Sequence, residues 1–323
     1  MKVGIDISSV IYGTGVSNYT EELINHLEPL LGKGLKTFKF SRYPLSVMEF
    51  LWNRLHVLNV ENIVGDIDIY HSSDWIQAPS KAKKVTTVHD LSPFIYPQEL
   101  DPQIVKVHTA KMAWSVKECD AFICVSQNTA DDLKRLFGVN DDRIKVIYEA
   151  MPSRFLLQPQ VTKNANYVLA IGSRQPRKNI DRLKKACEFL HQKLIIIGET
   201  SMNQVTNNQV TFTGYISDQD LVNYLANASA FVYPSLYEGF GLPILEAFHF
   251  KVPVACSNTS SLPEVAGDAA VYFDPYNIDQ MSKAISQAIA NHDQLITAGT
   301  KQLSKFSWEK TASQTLEVYK SLC

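Results

Sequence analysis

"ASAFVYPSLYEGFGLPILEAFHF" occupies residues 228–250. Its first part is a short apolar run rich in β-branched and aromatic residues, which reads as a buried strand. A glycine turn follows, then Pro243 where a first helical turn tolerates a missing N–H. The stretch is therefore strand, turn, helix. The same unit recurs along the chain. In the first half, "KVGIDI" (2–7), "KTFKFS" (36–41), "DIDIYHS" (66–72), "KKVTTVHD" (83–90), "DAFICVS" (120–126) and "RIKVIYEA" (143–150) read as strands. Helical patterns lie between most of them. In the second half, "YVLAIGS" (167–173), "KLIIIGE" (193–199), "QVTFTGYI" (209–216), "VPVACSN" (252–258) and "AAVYFDP" (269–275) join the opening strand, and two helical patterns finish the chain. Strands alternating with helices imply βαβ units and mostly parallel sheets.

The length of 323 residues fits two such domains. The polar stretch "QPQVTKNAN" (158–166) reads as linker near the junction, and the expected domains are 1–155 and 156–306. The fold class is α/β, with two tandem doubly wound Rossmann-like domains facing across a cleft. Open α/β sheets bind ligands beyond the carboxyl ends of their strands, so the loops after strands are the informative ones.

Composition narrows the function. A net charge of −2 gives no electrostatic footprint for nucleic acid. Five scattered cysteines without a CxxC pair point to reduced thiols in a cytoplasmic protein. The N-terminus lacks a signal-peptide core, and no apolar stretch approaches the roughly 20 residues that span a bilayer. Peripheral contact with the inner face of a membrane stays open.

Glu238 and Glu246 flank the glycine turn. Gly239 and Gly241 let backbone approach a ligand, and the amides of Gly239, Phe240, Gly241 and Leu242 stand at a helix N-terminus suited to an anion. Carboxylates accept from paired sugar hydroxyls. A phosphate between two hydroxyl-bearing groups describes a nucleotide-sugar. Arg174, Arg177 and Lys178, in "GSRQPRKN" (172–179), set three cations before a helix against its dipole, which a diphosphate would justify. His89 ends a strand, where it could meet a substrate hydroxyl; His71 and Asp74 hold the equivalent place on the preceding strand. Gly13-Thr14-Gly15 begins a dinucleotide fingerprint but lacks its third glycine and the later acidic residue, which weakens a nicotinamide reading. Asp66-Ile67-Asp68 has D-x-D form, yet alternation on entry to a strand explains it equally, and no metal site is expected.

These segments, with "VHDLSPFIYP", "VSQNTADDL", "PRKN", "SLPEVAGDAAVYFDP" and the closing "FSWEKTASQTLEVYKSL", resemble the retaining glycosyltransferases of family 4, which have the GT-B fold. Within that family the chain is most similar to bacterial mannosyltransferases of surface polysaccharide assembly. The resemblance implies transfer of a mannose- or glucose-type hexose from a nucleoside-diphosphate-sugar donor such as GDP-mannose, a glycan or lipid-linked acceptor, and a final segment (307–323) crossing back to the first domain. It assigns Glu246 to the ribose, Glu238 and the turn amides to the donor sugar and phosphate, and Lys178 with Arg174 or Arg177 to the diphosphate. His89 falls to the donor sugar, and the 13–15 loop to acceptor and phosphate. Ser173 stands where relatives often carry an arginine, which leaves the choice between the two arginines open. It further implies front-face transfer without metal or other cofactor. A nucleotide-sugar epimerase of the same fold, or a non-catalytic sugar-nucleotide-binding subunit, are the alternatives.

Overall fold

The computed structural model describes residues 1–13, 15–39, 45–161, 166–172, 175–198 and 209–323. Thr14, Ser173 and Arg174 lie outside the described residues, as does part of the 158–166 stretch. The chain divides into two units. Unit 1 comprises Met1–Pro152 with Ser307–Cys323, and unit 2 is Ser153–Phe306.

Unit 1 holds a six-stranded parallel sheet. Its strands are β1 (Val3–Asp6), β2 (Leu35–Phe38), β3 (Ile69–Ser72), β4 (Lys83–Val88), β5 (Ala121–Cys124) and β6 (Ile144–Val146). They lie in the order β2-β1-β3-β4-β5-β6. Unit 2 repeats the design with β7 (Val168–Ile171), β8 (Leu194–Ile197), β9 (Val210–Phe212), β10 (Ala230–Tyr233), β11 (Val254–Ser257) and β12 (Ala270–Phe273). Their order, β12-β11-β10-β7-β8-β9, reverses direction between β7 and β10. That reversal parts two neighbouring loops and makes a crevice, the place where doubly wound sheets take ligands. The central strands are apolar on both faces because helices cover both; all four residues of β8 and of β10 are buried.

Helix starts follow side-chain capping. Ser126, Ser217 and Ser307 each accept from the amide three residues on, opening helices at Gln127, Asp218 and Trp308. Two departures from the sequence reading are local. Three helices, not two, end the chain: Ile278–Ala290, His292–Leu303 and Trp308–Leu322. The break after Ala290 rests on Asn291 alone, so apolar periodicity runs through it in the sequence. The stretch "SVMEFLWNRLHVL" (46–58), whose spacing reads as one helix, instead holds the end of a short helix, Leu45–Glu49, continuing as a π-turn over Phe50–Arg54. There Leu55 N–H donates to Phe50 O at 3.0 Å, while buried Trp52 donates its indole N–H to Leu58 O at 2.8 Å.

The Trp308–Leu322 helix packs within unit 1. Trp308 Nε1 donates to Met151 O (3.0 Å), Thr311 Oγ1 donates to Tyr148 O (2.7 Å), and Tyr319 Oη meets His71 Nδ1 (2.6 Å). Among the described residues no helix is long and apolar enough to cross a membrane.

Candidate active site

The loops after β7 and β10 meet at the switch point of unit 2. Gly172 ends β7 against the following helix so closely that an added Cβ would sit 2.5 Å from Ile180 Cδ1. The chain then makes a 3₁₀ turn over Pro176–Lys178, and Asn179 takes a left-handed conformation (φ 59°) before the Ile180–Phe189 helix. Asn179 Nδ2 donates to Pro234 O (3.0 Å) and Pro275 O (2.8 Å). One buried amide thus ties the β7 loop to the loops after β10 and β12.

That tie brings the cations to Glu238. Lys178 Nζ lies 2.6 Å from Glu238 Oε1 and 3.5 Å from Tyr233 Oη. Arg177 Nη1 donates to Tyr237 O at 3.0 Å and stands 3.6 Å from Glu238 Oε2. Burial would raise the Glu238 pKa, but the charges of Lys178 and then Arg177 outweigh it and hold the carboxyl below its usual range. The sequence alone required a diphosphate to justify these cations; the folded chain supplies a second counter-charge in Glu238. Arg177 is buried and turned inward, so Lys178 is the described cation closer to solvent.

The glycine turn is held from behind. Ser261 Oγ donates to Glu238 O (3.0 Å) and Phe240 O (2.7 Å), and Ser260 Oγ accepts from Glu238 N (3.1 Å). Gly241 adopts φ 113°, and a Cβ there would lie 2.9 Å from Leu262 Cδ2. The Leu242–His249 helix starts from Gly241, which as a glycine supplies no side-chain cap. Phe240, expected among the donor-binding residues, is buried with its ring edge-on to Phe306 (centroids 5.8 Å). Only its backbone can serve a ligand.

Glu246, one turn inside that helix, is 5% exposed. Burial pushes its pKa up to about 7; the charge of Arg154 partly opposes this and Asp218 adds to it. Arg154 and Asp218 are themselves paired at 3.3 Å, so the arginine is largely spent on another acid.

In unit 1, Gly13 is left-handed (φ 61°) and Gly15 opens the Gly15–Leu31 helix. His89 follows β4 and lines a pocket with Asp6, Tyr19, His71, Asp74 and Thr87. His71 is fully engaged: Nδ1 with Tyr319 and Nε2 with Thr87 Oγ1 at 2.9 Å. Burial, then Lys111 and His89, lower its pKa to about 3. It is a neutral core residue. Asp68 accepts from Lys2 N at 2.7 Å, which accounts for half of the D-x-D pair. Sequence reasoning missed Glu149, whose Oε1 lies 2.9 Å from His89 Nδ1. A half-buried strand-end histidine calls for such a partner, but nothing local indicates which of 33 acidic residues supplies it.

The model of glycosyl transferases group 1 matches residues 155–302, and that of glycosyltransferase family 4 matches residues 29–152. An O-antigen chain mannosyltransferase B from Escherichia coli is 34% identical over 283 residues, covering 79% of this chain and 74% of that protein. The chain belongs to the family 4 glycosyltransferases. This glycosyltransferase is also 31% identical to the O-antigen chain mannosyltransferase RfbU of Salmonella typhimurium, covering 65% of this chain and 64% of that one. It spans 34% of the longer serotype-specific mannosyltransferase WbdA of E. coli, at 27% identity. Two solved structures establish the GT-B fold. Sucrose-phosphate synthase from Thermosynechococcus elongatus superposes with a TM-score of 0.77 at 17% identity, covering 100% and 99% of the two chains. WaaG, a glycosyltransferase involved in lipopolysaccharide biosynthesis, gives 0.72 at 12% identity, covering 98% and 99%. The chain is a hexosyltransferase of this fold.

Proposed function

We propose that this glycosyltransferase moves a mannose-type hexose from a nucleoside-diphosphate sugar to a hydroxyl of a glycan or lipid-linked acceptor during surface polysaccharide assembly. The observation that carries the reading is the cluster at the switch point of unit 2. A helix that starts on a glycine, the Lys178–Glu238 pair beside it, and buried Glu246 one turn inside it all follow the neighbouring strands β7 and β10. Lys178 and the first-turn amides take the diphosphate, Glu246 accepts from the ribose hydroxyls, and Glu238 lies by the sugar. The mannosyltransferase names of the relatives support the donor class.

Transfer proceeds with retention. The C1–O bond to phosphate breaks while the acceptor oxygen forms its bond to C1 on the same face, and the departing diphosphate oxygen takes the acceptor proton. Positioning and charge stabilisation are then the protein's contribution. Lys178 neutralises the leaving group in place of a metal ion. His89 hydrogen-bonds the donor sugar, and the 13–15 loop attends acceptor and phosphate. Any membrane contact is peripheral, at the inner face.

The test is calorimetry with GDP-mannose, UDP-glucose and UDP-GlcNAc in the presence of EDTA, followed by NMR of the product anomeric centre. GDP-mannose binding with EDTA present and an α-linked product support the reading. Free sugar released without acceptor indicates an epimerase, and an inverted centre or a strict metal requirement refutes the mechanism.

A further inference from the structure

His89 is 14% exposed at its side chain and Glu149 7%, and they are joined through Nδ1 at 2.9 Å. With Nδ1 engaged by the Glu149 carboxylate, Nε2 is the ring nitrogen that this bond does not use, and His89 lines a pocket. The ring cannot flip without losing this bond. Tyr19, from the Gly15–Leu31 helix, packs edge-on against the same ring (centroids 4.6 Å, 82° between planes). Glu149 lies on the connection after β6, and the Trp308–Leu322 helix pins that connection on both sides. Thr311 holds the carbonyl of Tyr148, and Trp308 holds that of Met151. The Trp308 ring also lies 5.6 Å from that of Tyr19. Such support is excessive for a histidine that only fills space, and it is the arrangement that aims a ring nitrogen.

We propose that Glu149 is a positioning residue for sugar transfer: it fixes the His89 ring and balances its charge, so that Nε2–H is presented as a donor to an oxygen of the sugar-nucleotide. This rests on the assignment of His89 to the donor. The surrounding groups agree. Burial alone would lower the pKa of His89, but the hydrogen bond and charge of Glu149, followed by Asp74 after β3 and by Asp90, raise it above the ordinary value. His71 on β3, the other imidazole in the pocket, is neutral and adds no competing charge.

The test uses the full chain with Glu149→Gln, which keeps shape and removes charge, Glu149→Ala, and His89→Ala. The His89 Cε1–H signal is titrated by NMR without ligand, and GDP release from GDP-mannose is followed across pH. Loss of a facing carboxylate moves a titration by about 1–3 units. In Glu149→Gln we expect the His89 midpoint to fall by at least about one unit, which lowers the imidazolium fraction at pH 7.5 by a factor that the two measured midpoints fix. GDP release should fall by about that factor at pH 7.5, recover toward pH 6, and show a nearly unchanged KM. An unmoved midpoint, or a loss of activity equal at every pH, overturns the role of Glu149. Wild-type turnover by His89→Ala overturns the assignment of His89 itself, which is a separate result.

Discussion

Replacing Glu246 by Gln removes an ionisation that burial makes costly. The carboxyl has its pKa raised from 4.5 to about 7. A folded-state pKa above the unfolded one means that the folded chain binds more protons between those values, so stability falls as pH rises through them. Below about pH 4.5 the group is neutral in both states and costs nothing. Above about pH 7 it is ionised in both, and folding bears the full penalty. At about 1.4 kcal/mol per unit, the penalty is on the order of 3 kcal/mol. The Gln side chain carries none of it. The melting temperature of Glu246→Gln should therefore match wild type near pH 4.5 and exceed it progressively up to pH 7–8. About 2–4 °C per kcal/mol for a domain of this size makes the final gap roughly 6–12 °C. Differential scanning calorimetry at constant ionic strength would follow the transition of unit 2, and other titrating groups cancel in the difference. A gap that does not vary with pH, or that widens toward acid, refutes the reasoning. The same ionisation bears on the donor: ribose hydroxyls need the charged acceptor, so nucleotide binding near pH 6 should release a proton and make calorimetric heats depend on the buffer.

Three further substitutions follow from the site. Lys178→Ala should weaken a nucleoside diphosphate far more than the matching nucleoside, by about 1.5–3 kcal/mol for a charged hydrogen bond; equal losses in calorimetry would separate Lys178 from the diphosphate. Glu238→Gln should lower kcat more than it raises the donor KM, because a fixed charge acts most on a developing cation, and a fully active variant would show that the charge is not used. Gly241→Ala meets both the left-handed φ and the Leu262 contact, so urea unfolding should report a loss of about 1–3 kcal/mol, with an unchanged midpoint showing that the turn relaxes freely.

Parallel strands were legible because both faces are buried: runs such as "LIII" and "AFVY" have no alternative use. The glycine turn and the 175–179 segment were legible for a related reason, since charge and glycine at the end of a buried strand violate local preference. What the sequence concealed were pairings. Lys178 and Glu238 are 60 residues apart, as are His89 and Glu149. Only the strand order brings each pair together, and no periodicity encodes it. The inward turn of Arg177 and the burial of Phe240 depend likewise on neighbours from other loops, the carbonyl of Tyr237 and the ring of Phe306. Neither contact is visible along the chain.

Unit 1 is assembled from two separated pieces of chain, and that has a consequence for the order of events during synthesis. The ribosome completes all of Ser153–Phe306 before it begins the segment carrying Trp308, Thr311 and Tyr319. Domains tend to fold as units while the chain emerges. Unit 2 can therefore mature on the nascent chain, while unit 1 waits with Tyr148–Met151 unanchored and His71 lacking its phenol partner. The polypeptide passes through a stage in which the crevice of unit 2 is formed and the histidine pocket of unit 1 is unfinished. A chain released early, short of Ser307, would retain the former and lack the latter.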